Sequence, residues 1–133
     1  MGITRRFVLG TMAFSSAVGI MLGAGTSEAG AVDAKDGQEV HYVLRSSTQG
    51  IDYLEINDVA GNRLTWTDQD FAHRAEQWYY AKWTYRAKGA REARIVARTE
   101  NTDALGWIEC ETWIAGKRVA HDIARGPHAT ARC

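Results

Sequence analysis

The chain has 133 residues, room for one domain, and its sixteen basic side chains are balanced by sixteen acidic ones. Without a basic field, nucleic acid and anionic membrane surfaces are not expected partners. Two cysteines in so short a chain point either to one bridge in an oxidising compartment or to two free thiols in a reducing one.

The first 31 residues bear on that choice. Arg5 and Arg6 precede an apolar run of 16 residues, Phe7 to Leu22, and small residues end the segment at Ala29-Gly30-Ala31. This is the layout of a cleavable signal peptide, with Ala29 and Ala31 as the A-x-A site before Val32. The run is shorter than the roughly 20 residues that span a bilayer, although a retained anchor is the competing reading. Thr4-Arg5-Arg6 before Phe7-Val8-Leu9 also resembles a twin-arginine export signal. Export to the periplasm, cell envelope or medium is therefore expected. The mature chain, without Arg5, Arg6 and Glu28, keeps fourteen basic and fifteen acidic residues.

Residues 32–38 are polar and glycine-containing and read as a flexible lead-in to a domain over 39–133. A first strand is expected at Glu39 to Arg45, with Val40, Tyr42 and Leu44 on one face. After the turn Ser46 to Gly50 comes a second strand, Ile51 to Asn57. The Asp58 to Asn62 turn leads to a third, Arg63 to Thr67. Asp68 to Lys88 has two readings. It could start as a helix capped by Asp68 or Asp70, or run as a loop to Gln77 and then as a Trp- and Tyr-rich strand, Trp78 to Ala87. The two-residue period of Trp83 and Tyr85 favours the second. Lys88-Gly89-Ala90 turns the chain into a strand at Arg94 to Thr99, and a loop follows to Gly106.

The last quarter is the most regular. From Trp107 to Ile114, Ile108, Cys110, Thr112 and Ile114 share one face, and Trp107, Glu109, Glu111 and Trp113 the other. Ala115-Gly116 then closes a hairpin onto Lys117 to Ile123, in which Val119, His121 and Ile123 are expected opposite Arg118, Ala120 and Asp122. After Gly126-Pro127, Ala129, Ala131 and Cys133 alternate on one side of a final segment. Cys110 and Cys133 thus lie on small or apolar faces and are expected to form a disulfide pinning the last strand to the sheet. Such a closure stabilises by about 3 kcal/mol. The pattern as a whole is all-β: a small immunoglobulin-like antiparallel β-sandwich of about seven strands with one disulfide.

The final stretch, Gly106-Trp-Ile-Glu-Cys110, Ile114-Ala-Gly-Lys-Arg-Val119, Gly126 and Cys133, resembles the C-terminal signature of the MmpS group, mycobacterial transport accessory proteins. Val40 to Val43, the Asp58 to Gly61 turn, the Trp78 segment and Ile95-Val-Ala97 fall in the corresponding order upstream. The family's Pro-Trp element has no proline here, and Ala115-Gly116 stands where it has Asp-Gly. The resemblance implies an envelope β-sandwich acting beside a resistance-nodulation-division (RND-type) transporter that exports lipid or siderophore.

No catalytic residue, cofactor or metal is expected. Glu109 and Glu111 stand about 7 Å apart along one strand face, a spacing open to paired-carboxylate chemistry but ordinary for a solvent-facing strand. His121 and Asp122 face opposite ways. His73, His121 and His128 lack the close spacing of a zinc motif. No nucleophile elbow, phosphate loop or dinucleotide fingerprint occurs. The aromatic content suggests a binding surface instead, on the face with Trp107, Glu109, Glu111 and Trp113, for a protein, a glycan or an acyl chain. The expected function is a non-enzymatic accessory or binding protein of the envelope. A freely secreted binder of a hydrophobic or glycan ligand is the alternative, and a small hydrolase using His121 or His128 a third.

Overall fold

The computed structural model describes residues 8–9, 32–100 and 102–133. The expected signal segment therefore lies outside the described residues, apart from the two-residue strand β1 (Val8–Leu9). The described residues form strands and no helix, and no helix is long and apolar enough to cross a membrane. The helical reading of Asp68 to Lys88 is thereby set aside.

In chain order the further strands are β2 (Val32–Ala34), β3 (Glu39–Ser46), β4 (Gly50–Asn57), β5 (Arg63–Trp66), β6 (Gln69–Phe71) and β7 (His73–Arg74). They continue as β8 (Tyr79–Arg86), β9 (Arg91–Ala93), β10 (Ile95–Thr99), β11 (Trp107–Ile114), β12 (Lys117–Arg125) and β13 (Thr130–Arg132). One sheet runs β1-β6-β4-β10-β13, with β5 also on β4; the other runs β12-β11-β3-β8-β7, and β2 pairs with β9. All these pairings are antiparallel except β1 with β6. The expected all-β, antiparallel sandwich is what the chain forms, and seven of its strands have four or more residues.

The core lies between the two large sheets. Val40, Tyr42 and Leu44 of β3 and Ile108, Cys110, Thr112 and Ile114 of β11 face Leu54 and Ile56 of β4, Ile95 and Ala97 of β10, and Ala131, all buried. Each large apolar side chain so covered contributes about 1.5–3 kcal/mol. Strict alternation fails at two places. In β4 the register shifts so that Arg98 pairs Tyr53 while Thr99 pairs Ile51, which leaves Asp52 as an extra residue. Ile51 and Leu54, three apart, can then both be buried. In β12, Thr112 pairs Ala120 while Trp113 pairs Arg118, so Val119 is the extra residue. Arg118 consequently reaches the same outer face as His121, not the opposite one as the simple two-residue period predicts.

Three short stretches expected as loops carry pairing. Val32–Ala34, in the lead-in read as flexible, pairs with β9 and buries Ala34. The Asp36 carboxylate just beyond accepts from the Gly89 amide at 2.6 Å, which holds the lead-in to the β8–β9 turn. The 68–77 loop contributes β6 and β7, with Phe71 buried.

The Cys110–Cys133 disulfide is present, with Cα atoms 6.0 Å apart. It does more than pin a strand to its own sheet. β11 belongs to the five-stranded sheet, whereas Cys133 directly follows β13 of the other and donates its amide to Ile95 of β10 at 2.8 Å. The bridge therefore crosses the core and ties the two layers together. Thr112 reinforces it, its hydroxyl donating to the Cys133 carbonyl at 3.1 Å. A disulfide of this kind suits an oxidising, extracytoplasmic compartment.

The β11–β12 turn has two central residues, Ala115 (φ 51°) and Gly116 (φ 83°), both left-handed. Such turns match the twist of the flanking strands and favour Asn or Asp first and Gly second. Alanine at the first place is strained. Ala115→Asn is expected to stabilise the fold by about 1 kcal/mol and to raise the melting temperature by about 5 °C in thermal denaturation followed by circular dichroism.

Candidate functional site

The face expected to bind a partner is the outer surface of the five-stranded sheet. Adjacent strands align Glu111 with Val43 on one side and His121 on the other, and Glu109 with Arg45 and Ile123. Side chains in such register touch, and here they form one network. Arg45 Nη1 donates to Glu109 at 3.3 Å and to Glu111 at 3.4 Å, and Arg118 Nη1 donates to Glu111 at 3.2 Å. Trp113 Nε1 donates to Glu111 at 2.9 Å, and His121 Nε2 lies 2.7 Å from Glu109.

Glu111 is buried although it lies on an outer face, because these neighbours cover it. Burial pushes its carboxyl up, but the Trp113 hydrogen bond and the Arg45 and Arg118 guanidinium groups outweigh that and hold it below the usual carboxylate range. One ligand atom from each of Glu109, Glu111 and His121 falls within 4.8 Å of the others, yet both carboxylates already carry guanidinium partners. The carboxylates are engaged in charge pairing that holds three strands together.

Trp107 and Trp113 are partly exposed at opposite ends of β11. Six residues of strand put them about 20 Å apart, with Glu109 and Glu111 between them on the same face. The histidines do not converge. His73 stacks on Tyr80 at one edge of the sheet, and His121 stands on β12 at the other. His128 lies 3.8 Å from Asp52 of the second sheet. His121 and Asp122 do point apart: Asp122 accepts from the Arg132 amide at 2.9 Å, while His121 meets Glu109.

A concave opening lies elsewhere, at the side of the sandwich. β5 pairs with the second half of β4, and β7 pairs with Tyr79 and Tyr80 of β8. β5 and the remainder of β8 border one another there. The gap between them is a cleft of about 420 Å³, walled by Leu64, Trp66, Trp83 and Tyr85 over a floor of Tyr42 and Ile56, with Asn57, Asp58, Lys82 and Thr84 around it. This volume is within the range of small-molecule sites. Leu64 is 39% exposed, and Trp66, Trp83 and Tyr85 are half-buried.

Two tyrosines organise the floor. Tyr42 is wholly buried, yet its hydroxyl donates to the Asn57 carbonyl at 3.0 Å and accepts the Arg94 amide at 2.9 Å. Its only proton is thereby used, so across the 3.0 Å contact Tyr85 must be the donor. Burial pushes both phenols up, and the Asp58 carboxylate adds to this at each, so both remain protonated. Tyr42→Phe leaves the Asn57 carbonyl and the Arg94 amide without that partner. A loss of about 2 kcal/mol is expected by urea denaturation, with the disulfide intact.

Sequence reasoning missed this cleft. Its walls come from different sheets, and only the alternation of Trp83 and Tyr85, together with Trp66 on β5, hinted at an aromatic side. No protein-family model matches the chain, and no curated protein matches it in sequence.

Proposed function

We propose that the chain is an exported, non-enzymatic binding module of the cell envelope, which holds the apolar part of a small ligand in the aromatic cleft. The observation that carries this is the cleft itself: two tryptophans, a tyrosine and a leucine partly exposed around a cavity of about 420 Å³. Partly exposed rings grouped round a concavity mark a binding site more often than a packing fault. The layer-crossing disulfide supports work outside the cytoplasm, where such bridges persist.

A hydrolytic role has less support. Glu109 and Glu111, the carboxylate pair nearest a histidine, are held by Arg45, Arg118 and Trp113. A panel of ester and glycoside substrates is expected to give no turnover; turnover that His121→Ala abolishes would overturn this part.

The C-terminal resemblance to the MmpS group favours a more specific version, an accessory that passes lipid or siderophore to an RND-type transporter. Purifying the protein from crosslinked envelopes tests it. Recovery of a large transporter with the protein supports the accessory role, whereas accumulation of a free form in the medium, beginning near Val32, supports a secreted binder. Mass spectrometry of that form before and after alkylation reads signal cleavage and the disulfide together.

A further inference from the structure

The polar groups round the cleft restrict what it accepts. Tyr42 has no proton left to give, and Asn57 Nδ2 is spent on the Glu92 carbonyl at 3.1 Å. The Thr84 hydroxyl meets His41 Nδ1 at 2.8 Å, and the Lys82 ammonium lies 5.8 Å from the centroid of the Tyr80 ring, on the outer face of the sheet. Tyr85 gives its proton to Tyr42, so its oxygen offers only lone pairs. The Asp58 carboxylate, with Oδ1 fixed by the Ala60 and Asn62 amides at 3.0 and 2.8 Å, brings the negative charge. Apart from the indole N–H groups of Trp66 and Trp83, the side-chain chemistry of the cleft is thus aromatic, electron-rich and acceptor-bearing.

A sugar has both donors and acceptors at every hydroxyl, and beyond the two indole N–H groups its acceptors would find few partners here. A plain alkyl chain would use the rings but leave the carboxylate unanswered. A cation with apolar substituents uses both, since its charge is attracted to aromatic faces and to a carboxylate while its methyl groups are desolvated. We propose that the cleft walled by Trp66, Trp83 and Tyr85 beside Asp58 binds an alkylammonium group. This rests on the cleft being the binding site and names the ligand class it selects.

The test follows the indole N–H signals by NMR in the purified, oxidised protein, titrated with choline, with 3,3-dimethyl-1-butanol and with maltose. The first two share one shape and differ in a quaternary nitrogen against a neutral carbon. Saturable shifts of the Trp66 and Trp83 signals are expected with choline, at an affinity at least about tenfold above that of the neutral isostere. Asp58→Asn keeps the Oδ1 that orders the turn, and should weaken choline about tenfold while leaving the isostere unchanged. Trp66→Leu, checked for folding by circular dichroism, should weaken it too. Equal binding of choline and its isostere, or a preference for maltose, overturns the alkylammonium assignment while leaving the cleft as a binding site. Absence of shifts with all three overturns both.

Discussion

Replacing Cys110 and Cys133 together by alanine is expected to destabilise the domain by about 3 kcal/mol, the chain-entropy value for a closed segment of this length. For a domain of about a hundred residues this lowers the melting temperature by roughly 15 °C. Alanine is the informative replacement because both sulfurs are buried, and a serine hydroxyl would add its own desolvation cost. The loss is expected to be cooperative, since the bridge is a covalent cross-link between layers otherwise joined by packing, a few hydrogen bonds and the connecting turns. Thermal melts with and without a reductant give the comparison in the unaltered protein: the same drop on reduction supports the account, and a drop of only a few degrees contradicts it.

The second large effect belongs to Glu111. It accepts from Trp113, Arg45 and Arg118, and its side chain is 9% exposed, so Glu111→Ala leaves two guanidinium groups facing each other over a vacated site. Both arginines are about one-third exposed and can turn to water, so the expected cost is about 3 kcal/mol, the lower end for breaking a buried pair. The acid limb of stability should carry the same signature. Because the Glu111 carboxyl is held below its unfolded value, the folded state binds fewer protons than the unfolded one between the two values. Its contribution is fully present above the ordinary glutamate range and is lost as pH falls through the folded value. Urea denaturation at a series of pH values below about 5 should show Glu111→Gln with a flatter acid limb than the parent.

How far the sequence disclosed this protein depends on how many residues share each signal. In β11, eight residues alternate without interruption, and the reading of inward Cys110 and outward Glu109 and Glu111 holds. In β12 the same rule misplaced Arg118, because the extra residue at Val119 changes the phase and nothing local marks it. Strands of two or three residues, such as β6, β7 and β9, are too short to carry a period. They exist because a neighbouring strand offers unpaired amides, which is tertiary information. The paired cysteines were legible, but not that they join different layers, since that depends on where β13 docks.

The two candidate surfaces divide in the same way. The Trp107, Glu109, Glu111 and Trp113 face was visible because one strand presents it all. What could not be read was the arginine and histidine partners from three other positions that turn its carboxylates into a structural network. The cleft was invisible for the converse reason. Trp66 and Trp83 are 17 positions apart and on different sheets, and they line one cleft only through the packing of the two sheets.

The bridge from Cys110 to Cys133 also determines how the molecule carries mechanical load. A pull transmitted through Cys133 passes directly into the middle of β11, so β12, its hairpin and β13 lie inside a covalent ring and bear no tension. With a sequence separation of 23 between the anchor points, roughly 80 Å of chain is withheld from any extension until the bridge is reduced. Redox state, rather than strand pairing, thus sets the reach of this end of the chain under force.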